Sequence, residues 1–440
     1  MITIPNDVEN VINILSSNGH KAYVVGGCVR DSLMGREPDD WDVTTDASPK
    51  ELKKIFASFR TVDTGIDHGT VLVVSGKTPV EVTTFRIDGE YTDNRHPDSV
   101  TFTSNIEDDL ARRDFTMNAM AYNHEDGIID PFRGRDDIEN KIIRCVGEPD
   151  KRFNEDGLRI MRAVRFSSVL GFTIEEKTAE SIIKNENLLG SIAAERLSKE
   201  LMKLLCGENV FEVLTKFRSV IGVFIPELKL EFDFKQYGKK HAYDVWMHTV
   251  HTVNNIEANP VLRLTMLLHD TGKIATHAID ENGNSTFRNH AAVGGVIAEN
   301  ILRRLKFSKE YINTVSYLVS IHDKEVPETR IQVKEYIREL GEKNYIRLMK
   351  IRRADKSGLS KGYRDIADKL VFAYSTFDEV MNNNEPYSIK QLAVDGNDLK
   401  KFVPANDIGD TLNFLIETVI KHPENNEKKI LLDIVKKSRQ

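Results

Sequence analysis

Residues 23–42 read YVVGGCVRDSLMGREPDDWD, and the reading of the whole chain starts there. Tyr23-Val24-Val25 is a short β-prone run that stops at Gly26-Gly27. Two residues without a Cβ let backbone N–H groups come close to an anion, and Arg30 follows within reach of the same charge. Asp40 and Asp42 flank Trp41 and lead into Val43-Thr44-Thr45. On a strand, alternate residues share a face, so the two carboxylates would stand side by side. Two hard oxygen donors so placed suit Mg²⁺, which can align an attacking hydroxyl with a triphosphate and neutralise the departing pyrophosphate. Alone, Gly-Gly is a turn and Asp-x-Asp a solvated loop. Joined through Arg30-Asp31 they point to nucleotidyl transfer.

The chain has 440 residues, more than one typical core holds, and its 40% hydrophobic and 29% charged content is ordinary for a soluble protein. A formal net charge of −7 argues against a diffuse polybasic binder of nucleic acid, because phosphate contacts need concentrated Lys and Arg. Any RNA site is therefore local. Cys28, Cys145 and Cys206 are far apart and form no Cys-x-x-Cys pair, the pattern of a reducing, cytoplasmic setting without thiolate zinc. The N-terminus has no basic n-region or small-residue cleavage site, and no stretch approaches the roughly 20 apolar residues of a membrane span. A soluble, cytoplasmic chain with no membrane partner is expected.

Gly26-Gly27-Cys28-Val29-Arg30-Asp31 followed by Asp40-Trp41-Asp42 resembles the opening motif of the class II nucleotidyltransferases that include CCA-adding enzymes and bacterial poly(A) polymerases. That resemblance implies an α+β head like that of polymerase β, a mixed or antiparallel sheet with helices, followed by an all-α neck, body and tail. The implied division is 1–148 for the head, 149–215 for a neck that recognises the base, 216–375 for the body and 376–440 for a tail that binds tRNA.

Outward from the motif, Val8, Val11, Ile12 and Leu15 give helical spacing before Asn18-Gly19, and Ser48-Pro49-Lys50-Glu51-Leu52 has the form of a capped helix start. The runs 69–74 and 80–85 read as a hairpin about a Gly-Lys-Thr-Pro turn. Glu81 is the odd acid in the second run, either exposed at an edge or a third ligand beside Asp40 and Asp42. Residues 88–97 are polar and turn-rich; they resemble the flexible loop of family members that add the terminal adenosine. In Asp109–Ala119, Arg113 can neutralise a triphosphate while Asp114 and Asn118 offer partners to a ribose hydroxyl. Arg113-Asp114-Phe115-Thr116 matches the motif with which the family prefers ribonucleotides. Asp130-Pro131-Phe132-Arg133-Gly134, with Arg144 beyond, resembles its third motif.

Glu155–Phe166 reads as one helix, with acids early and cations late. Steps of three place Asp156, Arg159 and Arg162 on one face, with Arg165 at its margin. An Asp156–Arg159 salt bridge would hold both groups rigid. Such a pair is a template made of protein: the carboxylate accepts the exocyclic amine of C or A, and the guanidinium donates to the ring nitrogen. Uracil and guanine would lose both contacts, at about 1–3 kcal/mol each. The Glu-Asp-x-x-Arg pattern matches the family's base-selecting motif, and Arg162 and Arg165 match its triphosphate-side arginines. Ser191–Leu205 is a further amphipathic helix whose Glu195-Arg196 matches a motif expected to buttress the template.

The second half carries His248, His269-Asp270-Thr271-Gly272-Lys273, His290, His322 and Asp355. Leu267–Lys273 resembles the signature of His-Asp (HD) phosphohydrolases. The resemblance implies a metal on His248, His269, Asp270 and Asp355, and imidazoles with carboxylates suit Mn²⁺, Fe²⁺, Ni²⁺ or Zn²⁺. Lys428, Lys429, Lys436, Lys437 and Arg439 make the end basic. The resemblance as a whole implies template-independent CCA addition to tRNA with CTP, ATP and Mg²⁺. The alternatives are an A-adding enzyme or poly(A) polymerase, and an HD phosphohydrolase whose head only grips RNA. Oligomeric state is not legible.

Overall fold

Val8, Val11, Ile12 and Leu15 are all buried on one side of α1 (Asn6–Ser17), as their spacing requires. The computed structural model describes residues 2–65, 69–89, 91, 99–363 and 365–438. They form two compact units, Met1–Lys229 and Leu230–Gln440.

In the first unit, β1 (Ala22–Val25), α2 (Gly27–Leu33), β2 (Asp42–Thr45) and α3 (Pro49–Ile55) carry the opening motif. α3 starts in a capping box: the Ser48 hydroxyl accepts from the Glu51 N–H, the Glu51 carboxylate accepts from the Ser48 N–H at 2.8 Å, and Pro49 fills the first turn. β3 (Arg60–Gly65), β4 (Thr70–Ser75) and β5 (Thr78–Thr84) follow. The β4–β5 turn is tighter than the Gly-Lys-Thr-Pro expected, because Thr78 and Pro79 already pair with Ser75 and Val74. A short hairpin of β6 (Arg86–Asp88) and β7 (Val100–Phe102) comes next. Of the excursion expected at 88–97, residues 90 and 92–97 lie outside the described residues. The head is completed by α4 (Ile106–Ala111), β8 (Ala121–Asn123), β9 (Gly127–Ile129), α5 (Gly134–Glu139) and β10 (Ile142–Ile143).

The main sheet has the order β3-β4-β5-β2-β1-β8-β9. It is mixed, as expected, with β2–β5 parallel and its other pairs antiparallel. One face buries Val24, Val43, Val71 and Val82 against Val11 and Leu15 of α1 and Leu52 of α3. Tyr23 and Val25 point the other way, into a smaller cluster with Phe85 and Leu110. Because side chains alternate along a strand, burying Val43 commits Asp42 to that second face.

α6 (Pro149–Glu155) and α7 (Leu158–Leu170) succeed the head. The single helix expected over 155–166 is therefore interrupted at Asp156-Gly157. Gly157 packs against Leu188, whose Cβ would be 3.1 Å from any Cβ added there. β11 (Thr173–Ile174) pairs with β10, and α8 (Glu176–Asn185), α9 (Ala194–Leu205), α10 (Val210–Lys216), α11 (Arg218–Phe224) and α12 (Pro226–Lys229) finish the unit.

The second unit is helical apart from one small hairpin among its described residues. Its elements are α13 (Val245–Asn254), α14 (Pro260–Leu268), α15 (Lys273–Thr276), β12 (His277–Ile279), β13 (Ser285–Phe287), α16 (His290–Arg304), α17 (Lys309–Ser320), α18 (Arg330–Leu340) and α19 (Glu342–Ser357). After these come α20 (Ala367–Asn382), α21 (Gly396–Leu399), α22 (Ile408–Lys421) and α23 (Lys428–Lys437). Val333, Ile337, Tyr345 and Leu348 centre one core, and Leu415, Val419 and Leu431 another nearer the C-terminus. Among the described residues no helix is long and apolar enough to cross a membrane.

Candidate active site

Gly26 ends β1 with φ 83° and ψ −124° and caps α2. The positive φ requires glycine, and a Cβ there would lie 2.8 Å from Arg113 Nη1, so the guanidinium would have to shift. Gly26 and Gly27 open onto a cavity of about 770 Å³ in the first unit. Its acidic wall carries Asp40 and Asp42, and its basic wall Arg30, Arg113, Arg162 and Arg165.

On the acidic side, Asp42 begins β2, whereas Asp40 lies in the preceding loop and not on the strand expected for both. The shared cavity nevertheless brings them together. Glu81 is in register with Asp42 across the parallel β2–β5 pair. Since β5 lies between β4 and β2, Glu81 is exposed on the sheet face and not at an edge. Burial pushes the Asp42 carboxyl up to about 6; Arg113 pulls against this, while the charges of Asp40 and Glu81 add to it. Asp40, Asp42 and Glu81 thus stand close enough for their charges to interact.

The basic side is a hydrogen-bonded chain. Arg30 donates from Nη1 to Asn118 Oδ1 at 2.7 Å and grips Asp31 through Nε and Nη2, each at 2.8 Å. Asn118 Nδ2 donates to Asp114 Oδ1 at 3.0 Å, and Arg162 Nε donates to Asp114 Oδ2 at 2.7 Å. Burial alone would raise Asp114, but Arg162 and the Asn118 amide hold it down to about 2. The residues expected to serve triphosphate and ribose thus also position one another.

Several participants were not singled out from the sequence. Asp109 is fully buried and anchors Arg112 at 2.8 Å and Arg113 at 3.5 Å. The Phe166 ring gathers the guanidiniums of Arg165, Arg30 and Arg162 at 3.6, 5.0 and 5.4 Å from its centroid, a cation–π hub that offsets their mutual repulsion. Glu200 of α9 holds Arg165 at 2.8 Å, and Lys203 lines the cavity. Phe166 adjoins Arg165 in sequence and was the one local signal. Glu200 and Lys203 arrive by tertiary packing alone.

The expected Asp156–Arg159 salt bridge is replaced by other pairings. Asp156 lies between helices, where Oδ1 accepts from the Leu158 N–H at 3.0 Å and Oδ2 from Arg196 Nη2 at 3.1 Å. Arg159 donates to Glu155 Oε2 at 2.8 Å and to the Arg112 carbonyl at 2.9 Å. The helix break removes the i,i+3 relationship on which the predicted bridge depended. Neither Asp156 nor Arg159 lines the cavity described above. The buttressing expected of Glu195-Arg196 has a direct counterpart in the Arg196–Asp156 contact.

In the second unit, His248, His269, Asp270, His290, His322 and Asp355 converge. His248 Nε2 is 3.1 Å from Asp355 Oδ1, and His269 Nε2 is 3.2 Å from Asp270 Oδ2. Burial, reinforced by the neighbouring His269 and His290, pushes His322 down to about 3, so its imidazole is neutral near pH 7. The donors form two groups able to hold a metal, His248-His269-Asp270 and Asp270-His290-His322. A cavity of about 350 Å³, also lined by Lys240 and Lys273, opens beside them.

Three family profiles match the chain: poly(A) polymerase head domain over 22–144, probable RNA- and SrmB-binding site of polymerase A over 171–229, and tRNA nucleotidyltransferase domain 2 over 290–435. A CCA-adding enzyme of Geobacillus thermodenitrificans is 42% identical over 281 residues, 62% of this chain and 67% of that protein. The CCA-adding enzyme of Geobacillus kaustophilus is 50% identical over 204 residues, but these span 46% of this chain and only 50% of the relative. The crystal structure of the Bacillus stearothermophilus CCA-adding enzyme in complex with CTP is similar with a TM-score of 0.71 and 28% identity, covering 99% of this chain and 98% of that one. A Thermotoga maritima CCA-adding enzyme complexed with tRNA shares the fold, with a TM-score of 0.62, 20% identity, and 99% and 97% of the two chains covered.

Proposed function

Because this chain belongs to the family of CCA-adding enzymes, we propose that it builds and repairs the 3′-terminal CCA of tRNA from CTP and then ATP, without an RNA template. The observation that carries this reading is the one cavity that joins the Gly26-Gly27 turn to Asp40, Asp42 and the guanidiniums of Arg30, Arg113 and Arg162.

Asp40 and Asp42, with Glu81 completing the acidic set, would hold Mg²⁺, which when bound would neutralise charge at the α-phosphate and acidify the attacking hydroxyl. The backbone N–H groups at Gly26-Gly27 cradle the phosphates. Arg30, Arg113, Arg162 and Arg165 bind the β- and γ-phosphates and stabilise the leaving pyrophosphate. Asp114 and Asn118 face the ribose. The tRNA 3′-oxygen bonds to the α-phosphorus as the bond to the bridging oxygen breaks, and no covalent enzyme intermediate forms. Asp156 and Arg159, held in place by Arg196 and Glu155, select the base through its Watson–Crick edge, which C and A satisfy and U and G do not. In this scheme 1–148 is the transferase head, 149–215 the base-reading neck and 376–440 the tRNA-binding tail of a cytoplasmic enzyme.

The test uses tRNA ending at the discriminator base, at –C and at –CC, with each nucleotide offered singly. Incorporation of C onto the first two and of A onto the third supports CCA addition. Only A onto –CC, or a long A tract, would favour the A-adding or poly(A) alternatives.

A second reading concerns the body, 216–375. The convergence of imidazole nitrogens with Asp270 and Asp355 supports a transition-metal site on His248, His269, Asp270 and Asp355 with phosphohydrolase activity. Hydrolysis of a cyclic phosphate ester that disappears in His269→Ala supports it; unchanged hydrolysis excludes it.

A further inference from the structure

We propose that Lys203, at the outer end of the cavity in the first unit, binds the terminal phosphate of the incoming nucleoside triphosphate and holds the pyrophosphate that leaves. This rests on the nucleotidyl-transfer reading of that cavity and adds a phosphate-binding residue to it.

Each arginine of the basic wall already shares its charge with a carboxylate. Arg30 pairs with Asp31 at 2.8 Å, Arg113 with Asp109 at 3.5 Å, Arg162 with Asp114 at 2.7 Å and Arg165 with Glu200 at 2.8 Å. These pairs give the wall rigid donors but little net positive charge, whereas a triphosphate is strongly anionic. Among the described residues, the cations that line the cavity without an ion-pair partner are Arg36 and Lys203. Arg36 belongs to the acidic side, in one loop with Glu37, Asp39 and Asp40. Lys203 is exposed and follows Glu200 by one turn of α9. An unpaired ammonium on the same cavity as four guanidiniums is repelled by them until an anion enters.

The register of two helices places Lys203 in the row. Arg196 of α9 meets Asp156, just before α7, at 3.1 Å; Glu200 meets Arg165 at 2.8 Å; and the Leu204 carbonyl accepts from Ser168 Oγ at 2.6 Å. The helices therefore run in the same direction, and Lys203 is level with the turn of α7 after Arg165. Val169 and Leu170 from that turn line the cavity as well. The cations thus follow in the order Arg162, Arg165, Lys203, and the row starts at Arg162's partner Asp114, the residue assigned to the ribose. The phosphates of a nucleoside triphosphate succeed one another away from the ribose, so the last cation meets the last phosphate. A lysine suits that place, because a point charge on a flexible stem can follow a departing group, whereas guanidiniums bound to carboxylates stay fixed.

The experiment measures equilibrium binding of CTP and of CDP to the full chain, without tRNA and with Ca²⁺ in place of Mg²⁺, for the unsubstituted protein, Lys203→Ala and Lys203→Arg. Lys203→Ala should weaken CTP about tenfold and CDP less than about twofold, the effect of one charge-assisted contact to the terminal phosphate. Lys203→Arg, which keeps the charge, should restore most of the CTP affinity, and the far-UV circular dichroism spectrum should be the same in all three. Equal weakening of CTP and CDP overturns the assignment to the terminal phosphate. Unchanged CTP affinity overturns it too, and a raised KM for tRNA in Lys203→Ala would then assign the residue to the phosphodiester backbone of the RNA. If the unsubstituted chain binds neither nucleotide, the reading of the cavity falls with it.

Discussion

Asp42 on β2 and Glu81 on β5 stand opposite each other in a parallel strand pair, although they come from separate motifs. β2 pairs in turn with β1, where Asp42 is in register with Val25, the residue just before the glycine turn. The sheet thus carries the acidic set to the end of the strand from which the phosphate cradle begins.

Asp42 gives the first prediction. Its carboxyl is pushed up to about 6 by burial and by Asp40 and Glu81, and only its ionised form binds a cation. Nucleotide transfer at limiting Mg²⁺ should fall about tenfold per pH unit below that value, and more Mg²⁺ should move the midpoint toward acid by competition with the proton. A rate that stays flat down to pH 5 would contradict the assignment.

Gly26→Ala should be damaging twice over. The residue has φ 83°, and an added Cβ would crowd Arg113 at 2.8 Å. The backbone cost is about 1–3 kcal/mol. Nucleotide KM should rise several-fold while KM for tRNA is unchanged, as steady-state titration of each substrate would show.

Asp114 links the site to stability. Its folded value of about 2 lies below the ordinary 3.8, so the stabilisation it gives is full above about pH 4 and lost as pH falls toward 2. The two-unit difference corresponds to roughly 2–3 kcal/mol. Asp114→Asn should lower the urea midpoint at pH 7, and its deficit relative to the unsubstituted chain should shrink toward pH 2.

The base-reading pair is tested through its supports. Arg196 holds Asp156 and Glu155 holds Arg159. Arg196→Ala should weaken discrimination of CTP from UTP about tenfold, the effect of losing order at one base contact, while inhibition by tripolyphosphate stays the same. Arg159→Ala should blur base choice further. Competition between labelled CTP and UTP reads both.

The Gly26-Gly27 turn, the capping box at Ser48 and the 69–85 hairpin were legible because each is set by short-range chemistry: a positive φ, a side chain closing on its own backbone, or β-branched runs flanking a turn. The break at Asp156-Gly157 was not. The helix stops at Asp156, whose backbone is extended (φ −139°, ψ 105°) and whose carboxylate is held by the Leu158 N–H and by Arg196 of another helix. Glu200 was illegible for the same reason, since its partner Arg165 lies on another helix. The six donors of the His-Asp cluster could be named from sequence, but their sharing of Asp270 depends on helix packing that brings α13, α16 and α19 to one place.

The most direct test of the central claim is the mass of a tRNA lacking its CCA end after incubation with CTP, ATP and Mg²⁺. The chain should add two cytidylates and one adenylate and stop, and Asp42→Ala, with an unchanged circular dichroism spectrum, should add none. Undiminished addition by the variant, or no mass gain with the unsubstituted chain, would contradict nucleotidyl transfer at these carboxylates.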